Sequence, residues 1–302
     1  MSVYLASKTL LAIEEGLRKD QASSYRGLLG QVIPHMSDAY RTDEFPFRSH
    51  LGASGIGNEC ARAIWYGWRW ATRKQFEGRI LRLFNRGHLE EARFIALLLM
   101  IGVKVYQQDE NGKQFRISDA GGHFGGSGDG ILIGVPDLPE GNSCLLECKT
   151  SGEKPFLKLK KEGVRAAKFE HYVQCNTYMK KMGLSATLYM VVNKNTDELY
   201  AEIIPFDNAI AEQFIDRGVK LVYSEHPPEK ISQSPGWFSC KWCDHYTVCH
   251  KGATPELNCR TCLNSVVETD GRWSCGNPRS PKFGIITTEQ QFEACDKHER
   301  KF

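Results

Sequence analysis

A long uninterrupted apolar run is missing from this 302-residue chain. The longest, Phe94 to Val103 between Arg93 and Lys104, falls well short of the roughly 20 residues that cross a bilayer, so it reads as a buried helix and no membrane partner is expected. An excess of one charge is missing too. Lys and Arg total 39 against 36 Asp and Glu, a formal +3, which excludes a wholesale basic coat and leaves room only for a local cationic channel. The opening MSVYLASKTLLAIEEGLRKD has no cationic start ahead of a continuous apolar stretch, so no secretory leader is expected and the protein is placed in the cytoplasm. Repeats and low-complexity segments are absent. The 41% hydrophobic and 25% charged content suits an ordinary globular chain of about two domains' length.

Cysteine is what the chain has in number. Cys60, Cys144, Cys148 and Cys175 are scattered, whereas Cys240, Cys243, Cys249, Cys259, Cys262, Cys275 and Cys295 crowd the C-terminal stretch. In a reducing compartment that crowding points to metal ligation before disulfides.

Three regions follow from the patterning: an N-terminal helical extension at 1–51, a mixed α/β core at 52–252 and a small cysteine-rich module at 253–302. The extension holds a helix from Ser7 to Lys19 and names no chemistry. A Gly-rich turn at LGASGIGNEC enters a helix carrying Cys60, Trp65, Trp68 and Trp70, and a second helix runs from Arg79 to Gly102. KVYQQD, KQFRIS, GDGILIGVP, CLLECKT, LSATLYMVVNK and ELYAEIIPF read as strands. A lysine-rich connection after CLLECKT leads into a helix near Arg165 to Met182, and a last helix covers Asn208 to Tyr223. The fold class expected is α/β, a mixed central sheet flanked by helices.

On a strand, residues two apart share a face, so Glu147 and Lys149 reach one pocket while Cys148 points the other way. With Asp129 on the adjacent strand, two carboxylates converge beside one ammonium. Hard carboxylate oxygens suit Mg²⁺ or Mn²⁺, which polarises a phosphate and acidifies a bound water. Apolar neighbours in CLLECKT and the bare Gly-Asp-Gly turn set these residues apart from a solvated surface pair. Lys154, Lys158, Lys160, Lys161, Arg165 and Lys168 follow at once and could track a phosphate backbone.

GDG at 128–130, ECK at 147–149 and QCNTY at 174–178 resemble the PD-(D/E)XK nuclease superfamily in its RecB-like branch. The resemblance implies that Asp129, Glu147 and the backbone carbonyl of Cys148 hold the divalent metal, that Lys149 assists the attacking water, and that Gln174 and Tyr178, four apart on one helix face, steady the lysine region and the DNA. It also implies an upstream acidic residue on a helix, for which Glu91, four after Gly87, fits better than Glu90 or His88. The proline of the family name is replaced by Gly128.

Cys240-x2-Cys243-x5-Cys249 offers three thiolates and wants a fourth, for which Cys60 is the distant candidate. One cysteine before the core and three after it resembles the iron-sulfur nucleases of the AddB type and the CRISPR-associated exonucleases, which implies a [4Fe-4S] cluster. Zinc competes for the same thiolates, with His245 and His250 as nitrogen alternatives. Cys259, Cys262, Cys275 and Cys295, with His298 as a substitute for the last, read as a structural zinc site in a tail too short for much core.

The function implied is a divalent-metal-dependent DNA exonuclease acting on free or single-stranded ends, leaving a 5′-phosphate and a 3′-hydroxyl. Its setting would be recombination, repair or mobile-element processing, with a recombination or replication protein as partner and the host cytoplasm as location if the source is viral. A structure- or sequence-specific endonuclease and a non-catalytic DNA-binding adaptor are the alternatives. The CRISPR-associated relatives lean the polarity toward 5′ to 3′.

Overall fold

The computed structural model describes residues 3–40, 42 and 47–302. It is a mixed α/β structure with central sheets flanked by helices. The chain divides into two compact units, each assembled from three separated stretches. The first takes Met1–Glu44, Phe76–Ile117 and Ser127–Glu212; the second takes Phe45–Gln75, Ser118–Gly126 and Gln213–Phe302.

In the first unit the helices are α1 (Ser7–Lys19), α2 (Ser23–Val32), α3 (Ser37–Tyr40) and α4 (Gly78–Met100), followed by α5 (Glu153–Ala167) and α6 (Phe169–Met182). The strands are β1 (Lys104–Tyr106), β2 (Gly130–Ile133), β3 (Ser143–Ser151), β4 (Ala186–Asn193) and β5 (Leu199–Pro205). They form one five-stranded sheet in chain order, antiparallel except for the β3–β4 pair. A parallel pair needs a long crossover, and α5 with α6 supplies it.

Alternation along the central strands sorts their side chains onto two faces. Cys144, Leu146 and Cys148 of β3 with Leu188, Met190 and Val192 of β4 join Ile13 of α1 and Phe94, Ile95 and Leu98 of α4 in one buried apolar cluster. Truncating such a residue, Leu146→Ala for example, costs about 2–5 kcal/mol. Residues on the alternate face meet α6: Glu147 bonds to Gln174, and Tyr189 to His171.

The lysine-rich stretch expected as a connection is itself helix α5. Phe156, Leu159 and Val164 bury one face while Lys154, Lys158, Lys160 and Lys161 stay exposed. Pro155 sits in the first turn, where its missing N–H costs no helical hydrogen bond. Gly163 bends the helix at φ +74, and a Cβ there would lie 2.6 Å from Val3 Cγ2. That backbone conformation favours glycine, and the missing Cβ also leaves room for Val3 of the N-terminal segment.

That segment is built into the sheet. Ala6 N–H donates to the Ala201 carbonyl at 3.0 Å, and Ile203 N–H to that of Tyr4 at 2.8 Å. Helix α1 has no cap of its own, and Asp137 serves it from 128 residues away, accepting Thr9 N–H and Thr9 Oγ1 at 2.7 Å each. Among the described residues no helix is long and apolar enough to cross a membrane.

The second unit pairs Leu51–Gly52 in parallel with Phe124 and Gly125, and carries a helix at Ala61–Trp68. Cys60 takes the N-cap position of that helix, and Trp70 lies beyond its end at φ +55. A three-stranded antiparallel sheet follows in the tail, with Trp273–Cys275 between Ser265–Val267 and Gly284–Ile286. Its anchor is Arg260, 1% exposed, whose guanidinium lies 3.7 Å from the ring centre of Trp70, 4.5 Å from Trp68 and 4.6 Å from Trp273. It also donates to Gln291 Oε1 at 2.9 Å and to the carbonyls of Ser49 and Trp68 at 2.8 and 3.2 Å.

Candidate active site

Strand β3 carries Glu147 into the interior, where the side chain is 1% exposed. Glu147 Oε1 accepts hydrogen bonds from Gln174 Nε2 at 2.8 Å and from Lys149 Nζ. Glu147 Oε2 is buried with no hydrogen-bond partner among the described residues. A buried carboxylate oxygen left open in this way calls for a ligand or a proton.

Asp129 stands one residue before the Gly130–Leu146 pair of the β2–β3 ladder, which brings it alongside Glu147. Its Oδ2 accepts the backbone N–H of Cys148 at 2.7 Å. The turn ahead of it is bare for a packing reason. A Cβ on Gly128 would lie 3.1 Å from Leu145 Cδ1, so glycine lets the turn close against Leu145, with buried Tyr178 beside it. Gln174 and Tyr178 thus share one face of α6, the first touching the carboxylate and the second the turn that holds Asp129.

Glu91 comes from α4, with His88 Nδ1 3.9 Å from its Oε1. Glu90 is buried and paired with Arg93 at 3.1 Å, which gives it a structural partner.

The electrostatics show how closely these groups crowd. Burial first, then the charges of Asp129 and Asp38, push the Glu91 carboxyl up to about 8. Burial and Asp129 push Glu147 up to about 7 against the pull of Lys149 and Gln174. Asp129 is raised by burial, opposed by Lys149 and by the Cys148 N–H. Burial works against the Lys149 ammonium, yet Glu147 and Asp129 outweigh it and hold its pKa above the usual lysine range. Lys149 is therefore a fixed cation.

Asp38 was not visible as a site residue in the sequence. It lies on α3, which Asn85 of α4 holds through a 2.8 Å bond to the Ala39 carbonyl, and its charge acts on both Glu91 and Asp129. His171 was missed as well. Its Nδ1 is 2.6 Å from Tyr189 Oη, and burial with Lys149 and Lys168 nearby holds the imidazole neutral, its pKa down to about 3.

A cavity of about 400 Å³ reaches Glu91 and Lys149 of this cluster and is lined by Phe84, Gly87, His88 and Lys194 as well. Of the six basic residues on and after α5, Lys158 pairs with Glu162, Lys160 with Glu198 and Arg165 with Asp207. Lys154, Lys161 and Lys168 have no ion-pair partner among the described residues.

Eight of the eleven free cysteines fall in the second unit, where they form two neighbourhoods of thiols. Burial raises the Cys240 and Cys243 thiols, and Cys60 and Cys249 add to both shifts, so the four sit within electrostatic reach of one another. His245 bonds Thr72 Oγ1 at 3.1 Å, whereas His250 Nε2 is buried without a partner among the described residues. In the tail, Cys259, Cys262, Cys275, Cys295 and His298 line one cavity of about 20 Å³, and burial raises Cys259 to about 11. As the side chains lie, no three His, Cys, Asp or Glu among the described residues are drawn together tightly enough to form a ready metal cage.

No family model matches the chain, and no curated protein sequence matches it either. Solved structures with a distant likeness include SSO0001, at 15% identity and a TM-score of 0.41 over 76% of this chain and 97% of that one. The alkaline exonuclease LHK-Exo from Laribacter hongkongensis is similar at 13% identity and a TM-score of 0.37, over 58% of this chain and 86% of that one. LHK-Exo in complex with dAMP gives 14% and 0.38 over the same shares.

Proposed function

We propose that the chain is a divalent-metal-dependent DNA exonuclease whose chemistry resides in the first unit. The observation that carries this reading is buried Glu147, with one oxygen held by Gln174 and Lys149 and the other open, beside Asp129 and Glu91. Glu91, Asp129, Glu147 and the Cys148 carbonyl would hold Mg²⁺ or Mn²⁺, which supplies Lewis-acid polarisation of a phosphate oxygen and a more acidic water. The donor set fits that group: hard oxygens, one of them unsatisfied, in a pocket where negative charge is in excess.

The chain's own residues have distinct tasks. Gln174 fixes the Glu147 carboxylate in one orientation, so that its open oxygen stays available. Lys149, kept as an ammonium, donates hydrogen bonds to the attacking water or to a phosphate oxygen and takes no proton itself. Glu147 would give its open oxygen to the metal, and the proton of the attacking water would pass to solvent. Attack by that water on phosphorus breaks the bond to the 3′ oxygen, leaving a 5′-phosphate and a 3′-hydroxyl. In the second unit, Cys60, Cys240, Cys243 and Cys249 would bind a [4Fe-4S] cluster. The tail thiols would bind zinc, for which a cavity of about 20 Å³ has single-ion size.

The test uses circular single-stranded DNA, closed duplex and linear DNA labelled at either end, with Mn²⁺ or with chelator. Release of nucleotides or short products from linear DNA alone, lost in chelator and in Asp129→Ala, supports the proposal. Nicking of the circles at fixed sites establishes an endonuclease instead. Binding without hydrolysis under every metal condition would establish an adaptor.

A further inference from the structure

Helix α4 carries a feature that metal chemistry does not use. Phe84 is 46% exposed, and so are Phe76 at 44% and Leu81 at 50%, a concentration of apolar surface beside a charged pocket. Phe84 lines the same cavity as His88, Glu91 and Lys149. Spacings of four and three residues put Phe84, His88 and Glu91 on one face of the helix, and seven residues at 1.5 Å each set the ring about 10 Å along the axis from the carboxylate. Phe76 meets Phe84 edge to face at 5.0 Å between ring centres, so the Phe84 ring is braced from one side. Between ring and carboxylate, Gly87 leaves open space: a Cβ there would meet nothing within 4 Å. Lys194 adds a cation to the rim.

We propose that Phe84 is a stacking platform for an unpaired nucleobase next to the scissile phosphate, making single-stranded DNA the form this site accepts. The inference rests on the nuclease reading of the same pocket and names its substrate. A braced, half-exposed ring contiguous with a phosphate-cleaving centre offers a π-face that every base can use, so it selects for unpaired strands without reading sequence. A base paired inside a duplex has both faces covered by its neighbours and cannot lie on the ring. The gap at Gly87 gives the sugar-phosphate backbone a path from ring to carboxylates, with Lys194 as a countercharge.

The experiment measures kcat/KM on single-stranded oligonucleotides, intact or with one abasic site stepped through the three nucleotides nearest the cleaved bond, for wild type, Phe84→Ala, Phe84→Leu and Phe84→Trp. Wild type should lose roughly 10-fold at one abasic position, the scale of one stacked base. Phe84→Ala and Phe84→Leu should lose a similar factor on intact DNA and show no further loss at that position, while Phe84→Trp keeps both the rate and the sensitivity. Equal abasic sensitivity in wild type and Phe84→Ala, or full activity in Phe84→Leu, would overturn the platform while leaving the nuclease intact. No metal-dependent cleavage by wild type under any condition would remove the nuclease reading itself. Unchanged thermal unfolding of the variants confirms that the ring, being half exposed, is not needed for folding.

Discussion

Replacing Glu91 with glutamine should make the protein more stable and less active, and the stability gain should depend on pH. Glu91 titrates near 8 in the folded chain, against about 4.5 for a free glutamate, because burial and the charges of Asp129 and Asp38 oppose its ionisation. A carboxyl raised in this direction keeps its proton in the native state while the unfolded chain gives it up. Without metal, stability therefore falls as pH rises from about 4.5 to about 8, and levels off above that. Linkage puts the penalty at about 3 kcal/mol at pH 7 and about 1 kcal/mol at pH 5. Water reaching the 27% exposed side chain trims both figures. Glutamine matches the protonated shape and has nothing to titrate. In chelator, Glu91→Gln should then unfold some 5–10 °C above wild type at pH 7 and nearly level with it at pH 5, from roughly 2–4 °C per kcal/mol for a unit of this size. Added Mn²⁺ should raise wild type and leave the variant almost unmoved. Thermal unfolding of both proteins at pH 5, 6, 7 and 8, with and without Mn²⁺, reads all of this. A gain of the same size at every pH, or a loss at pH 7, would refute the argument that charge crowding sets the cost.

Lys149→Met should abolish metal-dependent cleavage while binding of labelled single-stranded DNA survives, as followed by anisotropy. Arg260→Ala should destabilise the second unit by about 3–5 kcal/mol, since it leaves three acceptors unpaired and a void among three tryptophans, and Arg260→Lys should not restore it, as chemical denaturation will show. Half of the basic residues around α5 are paired, so the slope of log affinity against log salt for single-stranded DNA should lie near 2 in magnitude, where six free cations would give about 4. Anaerobic protein should carry iron and acid-labile sulfide that Cys60→Ala loses, together with zinc that only Cys259→Ala loses, measured by metal analysis.

Much of the first unit's sheet could be read from residue order, because two-residue alternation survives in CLLECKT and the flanking apolar runs whatever packs against them. Glu147 and Lys149 came from the same alternation. The lysine-rich helix was harder: Pro155 and Gly163 are breakers in a generic helix, but Pro155 sits in the first turn and Gly163 at a kink whose φ of +74 suits glycine. Asp38 could not be found at all, since its approach to Glu91 depends on a side-chain bond from Asn85 to a helix carrying no signal of its own. Phe84 was hidden for the opposite reason. An aromatic residue on an amphipathic helix suggests core, and its exposure emerges only when the helix takes its place beside the sheet.

The interleaving of the two units fixes the order in which the chain can fold as it is synthesised. The first unit has all its residues once Glu212 has emerged, whereas Trp68 and Trp70 wait for Arg260, and Trp65 waits for Phe302. At about 5–20 residues per second, a ribosome takes some seconds to deliver Gln213–Phe302. For that interval three tryptophans and Cys60 lie in an unfinished unit, open to chaperones and to premature metals alike. A nascent chain stalled before Trp273 would have the residues of its carboxylate centre in a complete first unit and no finished second one.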